Sequence, residues 1–180
     1  MKFRQVSPQA FLGDLIAPLA RFAMPPHQVV DQEAFTAGGR ELLVHHHHMT
    51  VTVEAHHGSP VTVRVLQKVL DGDAYTREIE LICNKTGLAV LHGVVRIHLQ
   101  YCKDDVRNLI LGEGQPLGRI LITHGVLTRI ELVGLLLLNG DSLPEGWFHT
   151  VGQDAPGRLA VIYCDGKPAI ELLEVISPIK

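Results

Sequence analysis

At 180 residues, with 46% hydrophobic and 19% charged side chains, the chain carries enough apolar material for a substantial core and lies outside the disordered class. A formal net charge of -3, with no basic or acidic tail, offers no field for nucleic acid. Cys83, Cys102 and Cys164 are odd in number, far apart and without a CxxC pair. That spacing argues against a disulfide framework and for reduced thiols in the cytoplasm.

In chain order, Pro8 to Phe22 places Phe11, Leu15, Leu19 and Phe22 at helical spacing, and Met24-Pro25-Pro26 is the expected stop. Asp14 and Arg21 interrupt this apolar stretch, so it reads as a short amphipathic helix and not as a secretory signal. Residues 27–44 read as irregular and mostly surface. Met49 to Glu54 alternates like a strand and is rich in β-branched residues. Val61 to Leu70, Tyr75 to Cys83 and Leu88 to Leu99 are predicted strands, joined by Asp71-Gly72-Asp73 and Asn84-Lys85-Thr86-Gly87. Turns this short make an antiparallel meander. Lys103 to Leu111 and Pro116 to Thr123 are predicted helices, the first with Asp104 and Asp105 near its start and the second with proline in its first turn. Leu127 to Leu138, Arg158 to Tyr163 and Ala169 to Ile176 complete the set. The run from Leu132 to Leu138 is far too short to span a bilayer. The sum is an α+β domain with an antiparallel sheet of about six strands flanked by helices.

Four short motifs stand in order along the last two-thirds of the chain. They are His48-Met49-Thr50 with Glu54, then Tyr75-Thr76-Arg77-Glu78-Ile79, then Pro116-Leu117-Gly118-Arg119-Ile120-Leu121, and last Gly166-Lys167-Pro168 with Glu171 and Ser177-Pro178. With Leu127-Thr128-Arg129, this order resembles the chorismate pyruvate-lyase family over roughly residues 42–178, leaving 1–41 as an N-terminal helix and irregular lead-in to one domain spanning 1–180. The resemblance implies a six-stranded antiparallel sheet flanked by helices, with the ligand enclosed beneath helical flaps. It also implies a helix at Met49, against the local strand pattern, so that segment stays open between the two, with helix preferred. The implied reaction removes pyruvate from chorismate and leaves 4-hydroxybenzoate, without metal or organic cofactor. The implied roles are Arg77 on the ring carboxylate, Glu171 at the oxygen on the far side of the ring, and the backbone at Met49 and Leu117 in ligand contact.

The residues themselves support part of this. Arginine holds a carboxylate through a two-pronged, charge-assisted hydrogen bond. Alternation puts Tyr75, Arg77 and Ile79 on one face of their strand and Thr76, Glu78 and Glu80 on the other, so Arg77 lies on the more apolar side, where it needs a partner. Glu171 on an apolar strand suits proton transfer or hydroxyl anchoring. Glu174 is its rival: the spacing that the resemblance implies, counted back from Ser177-Pro178, favours Glu171, and the odd offset puts the two on opposite faces. Arg129 is the candidate for the second carboxylate of a dianionic substrate. Arg64, Arg96 and Arg107 read as surface or helix-end charges, His98 and His124 as structural histidines, and the three cysteines as packing residues. His45 to His48, with His56 and His57, lack an HExxH pattern or cysteine partners, so no metal site is expected. The competing expectation is a non-catalytic protein of the same fold that binds a small aromatic acid, with no DNA-binding helix-turn-helix ahead of the domain. Neither nucleic acid nor membrane is an expected partner.

Overall fold

The computed structural model describes residues 6–149 and 152–178. Five helices and seven strands follow one another as α1 (Pro8–Ile16), β1 (His27–Val30), α2 (Ala37–Leu43), α3 (Met49–His57), β2 (Val61–Asp71), β3 (Ala74–Cys83), β4 (Ala89–His98), α4 (Asp104–Gly112), α5 (Leu117–Thr123), β5 (Thr128–Leu138), β6 (Ala155–Cys164) and β7 (Lys167–Ile176). The strands form one antiparallel sheet in the order β1-β5-β6-β7-β4-β3-β2. The class is α+β, as expected, with seven strands in place of about six.

The additional strand lies in the stretch expected to be irregular. β1 pairs with β5, setting Val29 against Leu136. Four residues are too few to show an alternation, so this strand takes its identity from the edge it meets. The same stretch contains α2, which Thr36 caps by accepting a hydrogen bond from the Gly39 N–H at 3.2 Å. Leu42 and Leu43 on α2 are buried, although most of residues 27–44 is exposed.

α1 is shorter than its apolar spacing predicts. Ser7 caps its start by accepting from the Ala10 N–H at 3.3 Å, and Pro18 ends it earlier than Pro25 would. A proline at 18 has no N–H for the Asp14 carbonyl and its ring crowds that turn. Arg96 Nη1 takes up the freed carbonyl at 3.0 Å. Leu19 and Phe22 still reach the same apolar cluster as Phe11 and Leu15, but through turns.

Met49 to His57 is a helix despite its β-branched composition. Met49, Thr50 and Val53 are its buried residues, a helical spacing, and Gly58 ends it in the left-handed conformation at φ +57°. Packing on the sheet, α2 and α5 overrides the local strand preference. Gly118 permits the close approach to α5, because a Cβ there would lie 2.7 Å from Thr50 Oγ1. Glu54 then ties the layer together, accepting from the Val61 N–H at 3.1 Å and pairing with Arg119.

The sheet is buried on both faces. One face, with Ile79, Leu81, Leu91, Val95, Ile162 and Leu172, lies under α2 to α5. The other, with Val94, Leu136, Leu159, Val161, Leu173 and Val175, is covered by α1 and by the segment carrying Trp147. The thiols are free, with Cys83 and Cys164 buried in the first cluster. Among the described residues, no helix is long and apolar enough to cross a membrane.

Candidate functional site

Between the first face and the starts of α3 and α5 lies a cavity of about 50 Å³. Its walls are apolar: Ile79, Leu81, Leu91, Val95, Ile130, Ile162 and Leu172. Only three charged side chains line it, Arg77 from β3, Arg158 from β6 and Glu174 from β7. Met49, Leu117 and Gly118 close it from the helix side, and neither helix start carries a side-chain cap, so first-turn N–H groups remain available there.

Arg77 is the anomaly. It is 1% exposed, and its Nε and Nη1 have no hydrogen-bond partner among the described residues. Its guanidinium lies 5.9 Å from the centre of the Tyr75 ring. Burial pulls its pKa below the ordinary arginine value, opposed by Tyr75 and Glu113. Tyr75 instead donates its hydroxyl proton to Glu113, which Lys68 also reaches at 2.7 Å. Burial and that hydrogen bond push the phenol out of its usual titration range. Guanidinium does not shed its proton in proteins, so the site holds a desolvated cation with two of its three nitrogens unpaired among the described residues, a costly arrangement.

Arg158, also 1% exposed, is treated differently. Its Nε donates to Glu174 Oε2 at 2.6 Å, and its Nη1 donates to the His45 carbonyl at 3.2 Å and the Leu43 carbonyl at 3.4 Å. It thereby pins the strap that leads into α3. The histidines of that strap serve the same purpose. His45 Nε2 meets the Leu42 carbonyl at 2.8 Å, His46 Nδ1 the Ile130 carbonyl at 3.0 Å, and His48 Nε2 the Thr128 hydroxyl at 3.0 Å. Burial, then the Arg158 charge, pushes the His45 pKa down to about 4 and lowers that of His48. Among the described residues, no three His, Cys, Asp or Glu side chains converge on a metal position.

Of the four residues singled out from sequence, Arg77, Met49 and Leu117 meet at this cavity. Glu171 does not. It points to the other face with Leu173 and Val175, because residues an odd number apart on β7 face opposite ways. There its Oε2 accepts from Arg96 Nε at 2.9 Å and its Oε1 pairs with His98 Nε2 at 3.1 Å, beside an open groove of about 530 Å³ with Asp14 and Tyr101. Glu174 is the carboxylate that faces Arg77's cavity. Arg96, expected at the surface, is largely buried in this network and also binds Asp14. Arg129 lies away from the cavity as well: it pairs with Glu131 at 2.9 Å and covers the Tyr163 ring at 3.9 Å. Arg158 was the residue that sequence reasoning missed. Its signal was present, since it is a lone charge in the otherwise apolar run Ala155–Cys164.

The row of cross-strand neighbours fixes the layout. Ile79 pairs with Gly93, Gly93 with Glu174, and Glu174 with Arg158. Arg77 is two residues from Ile79 on the same side of β3. Three strand spacings, roughly 14–15 Å of backbone, therefore separate the strands that carry the two arginines. Gly93 forms the floor between them.

No known family model matches the chain, and no curated protein matches it.

Proposed function

We propose that this cavity receives a small cyclic carboxylic acid and that the protein is a cofactor-free lyase converting chorismate to 4-hydroxybenzoate and pyruvate. The observation that carries the reading is Arg77, a buried cation with unused donors aimed into an apolar cavity. A carboxylate supplies the missing charge and accepts a charge-assisted hydrogen bond from one of the unpaired nitrogens. The apolar walls suit a ring. The polar pair Arg158–Glu174 on the far strands suits oxygen functions at the opposite end of that ring.

The reaction asks little of the protein. Cleavage of the bond between the ring carbon and the enolpyruvyl oxygen, with loss of a proton from the neighbouring ring carbon, yields an aromatic ring and the enol of pyruvate. Aromatisation drives it, so orientation and proton handling suffice. In this reading Arg77 fixes the ring carboxylate, backbone groups at Met49 and Leu117 hold the helix side, and Glu174 takes the place expected of Glu171. Arg158 takes the place expected of Arg129. The unpaired thiols fit a cytoplasmic setting.

One observation favours the second reading, a non-catalytic aromatic-acid binder: the Glu174 carboxylate is already engaged by Arg158. The test is pyruvate release from fresh chorismate by wild type and Arg77→Ala, with the aromatic product identified by mass. Pyruvate with 4-hydroxybenzoate from wild type alone supports the lyase. Binding of 4-hydroxybenzoate without turnover supports the binder. Neither turnover nor binding removes both readings.

A further inference from the structure

The charges around the cavity are uneven. Arg77 and Arg158 contribute two positive charges and Glu174 one negative, while burial, then Arg158, disfavours the charged form of the His48 imidazole. One positive charge therefore remains to be neutralised. A monocarboxylate seated on Arg77 brings the site to balance. A dianion does not: its second carboxylate and that of Glu174 would share one arginine in a nearly dry space.

We propose that a dianionic ring acid binds here only by displacing Glu174 from Arg158, and that Glu174 takes up one proton as it does so. This rests on the proposed reading of the cavity as a carboxylic-acid site. Two carboxylates facing one guanidinium cannot both stay ionised where water is excluded, because each raises the other's affinity for a proton. The incoming carboxylate is fixed by its ring, whereas Glu174 sits on a flexible stem at the rim, with its side chain 12% exposed. It is thus the group free to give up Arg158 and, still largely out of water, to be protonated.

The charged and titratable groups facing Glu174 come from three directions. Arg158 lies across on β6, at 2.6 Å. His45 and His48 reach the same arginine's surroundings from the strap above, and Arg77 lines the cavity from β3. The histidines are the competing proton acceptors. Burial, then Arg158, holds them down in the free protein, and a dianion on Arg158 would relieve the second effect, so the experiment must separate them from Glu174.

Calorimetric titration at pH 7 in phosphate and in Tris, buffers of different ionisation enthalpy, counts protons taken up on binding. Terephthalate is the dianion probe and 4-hydroxybenzoate the monoanion probe. The expected result for wild type is about one proton taken up with terephthalate and none with 4-hydroxybenzoate. Linkage then requires terephthalate affinity to fall about tenfold per pH unit on the alkaline side. In Glu174→Gln, terephthalate still binds but the uptake disappears. Should that variant fail to fold, the paired change Arg158→Met with Glu174→Leu leaves no charge unpaired. It should bind 4-hydroxybenzoate, lose the uptake, and lose the pH dependence with it. Terephthalate binding without proton uptake overturns the inference and leaves the carboxylic-acid site standing. Uptake that persists in Glu174→Gln also overturns it, in favour of the strap histidines. Failure of both acids to bind overturns the site and the inference together.

Discussion

Arg96 and Arg77 stand on neighbouring strands, β4 and β3, yet on opposite faces of the sheet, and the two faces treat their cation differently. Under α1, Arg96 is held by Glu171, by the Asp14 carboxylate and by the Asp14 carbonyl that Pro18 leaves free. Further along that face His92, wholly buried, donates from Nε2 to Glu78 Oε1 at 2.8 Å and stacks on Trp147 with ring centres 3.7 Å apart. Arg64 and Gln67 complete the carboxylates. Each acid there has its base, and the one buried polar atom left over is His92 Nδ1, 3.7 Å from Glu80 Oε1. Under α3 and α5, Arg77 has neither an acid nor a carbonyl on two of its donors. The difference teaches that burial of charge is not in itself a sign of function. A network whose charges are saturated fastens elements together, and a cation without a counter-charge invites a ligand.

Breaking the saturated side should have the largest effect. Glu171→Gln leaves Arg96 and His98 without a buried anion and should lower stability by about 3 kcal/mol in urea unfolding, while affinity for 4-hydroxybenzoate is unchanged. Loss of binding without loss of stability would reverse the assignment of the two faces. Arg77→Met should do the opposite. Removing a desolvated, unsatisfied cation should raise stability by about 1–3 kcal/mol, while 4-hydroxybenzoate affinity falls roughly 10- to 150-fold with the charge-assisted bonds. A destabilised Arg77→Met would mean that the guanidinium holds the fold.

A smaller effect separates the faces by pH. Burial alone would raise Glu78 and Glu80, but hydrogen bonds from His92 with Gln67, and from His92 with Arg64, bring both below the ordinary carboxylate value. Groups depressed in this way stabilise the fold above the unfolded value near about 4.3, and that contribution fades as pH falls through the folded values. His45 on the cavity side behaves otherwise. Held down to about 4, it resists a proton that the unfolded chain accepts from about 6.5 downward, so stability declines as pH drops across that interval. Unfolding free energies measured from pH 7 to 3.5 should show the upper decline flattened in His45→Gln and the lower one flattened in Glu78→Gln. Identical profiles for the two variants would erase the distinction.

Much of this contrast was legible along β3. Its alternation set Arg77 apart from Glu78 and Glu80, and the strand keeps that parity. β7 was harder to read. Ile170, Leu172 and Ile176 lie on one face and Leu173 and Val175 on the other, so the strand is apolar on both sides and its periodicity carries no sign of which face holds a cavity. Glu171 and Glu174 could be placed on opposite faces, but not matched to Arg77 or to Arg96. That match needs the register of β4 against β7, a long-range fact. α3 was settled by packing against its β-branched residues, and β1 by the edge of β5. The early end of α1 was written plainly in Pro18 but hidden by the continuing apolar spacing of Leu19 and Phe22.

The pairing of β4 with β7 has a consequence in time as well as in space. β2–β3–β4 and β5–β6–β7 are each local meanders, whereas the seam between them joins Leu91 to Ile176 and Ile97 to Ile170. Contacts so distant in sequence form slowly relative to hairpins. Arg77 belongs to one meander, Arg158 and Glu174 to the other. Until the seam closes, Arg77 keeps its hydration, so its desolvation falls on the docking of the two halves. Wild type should therefore fold more slowly than Arg77→Met, and the cavity does not exist until the two meanders have met.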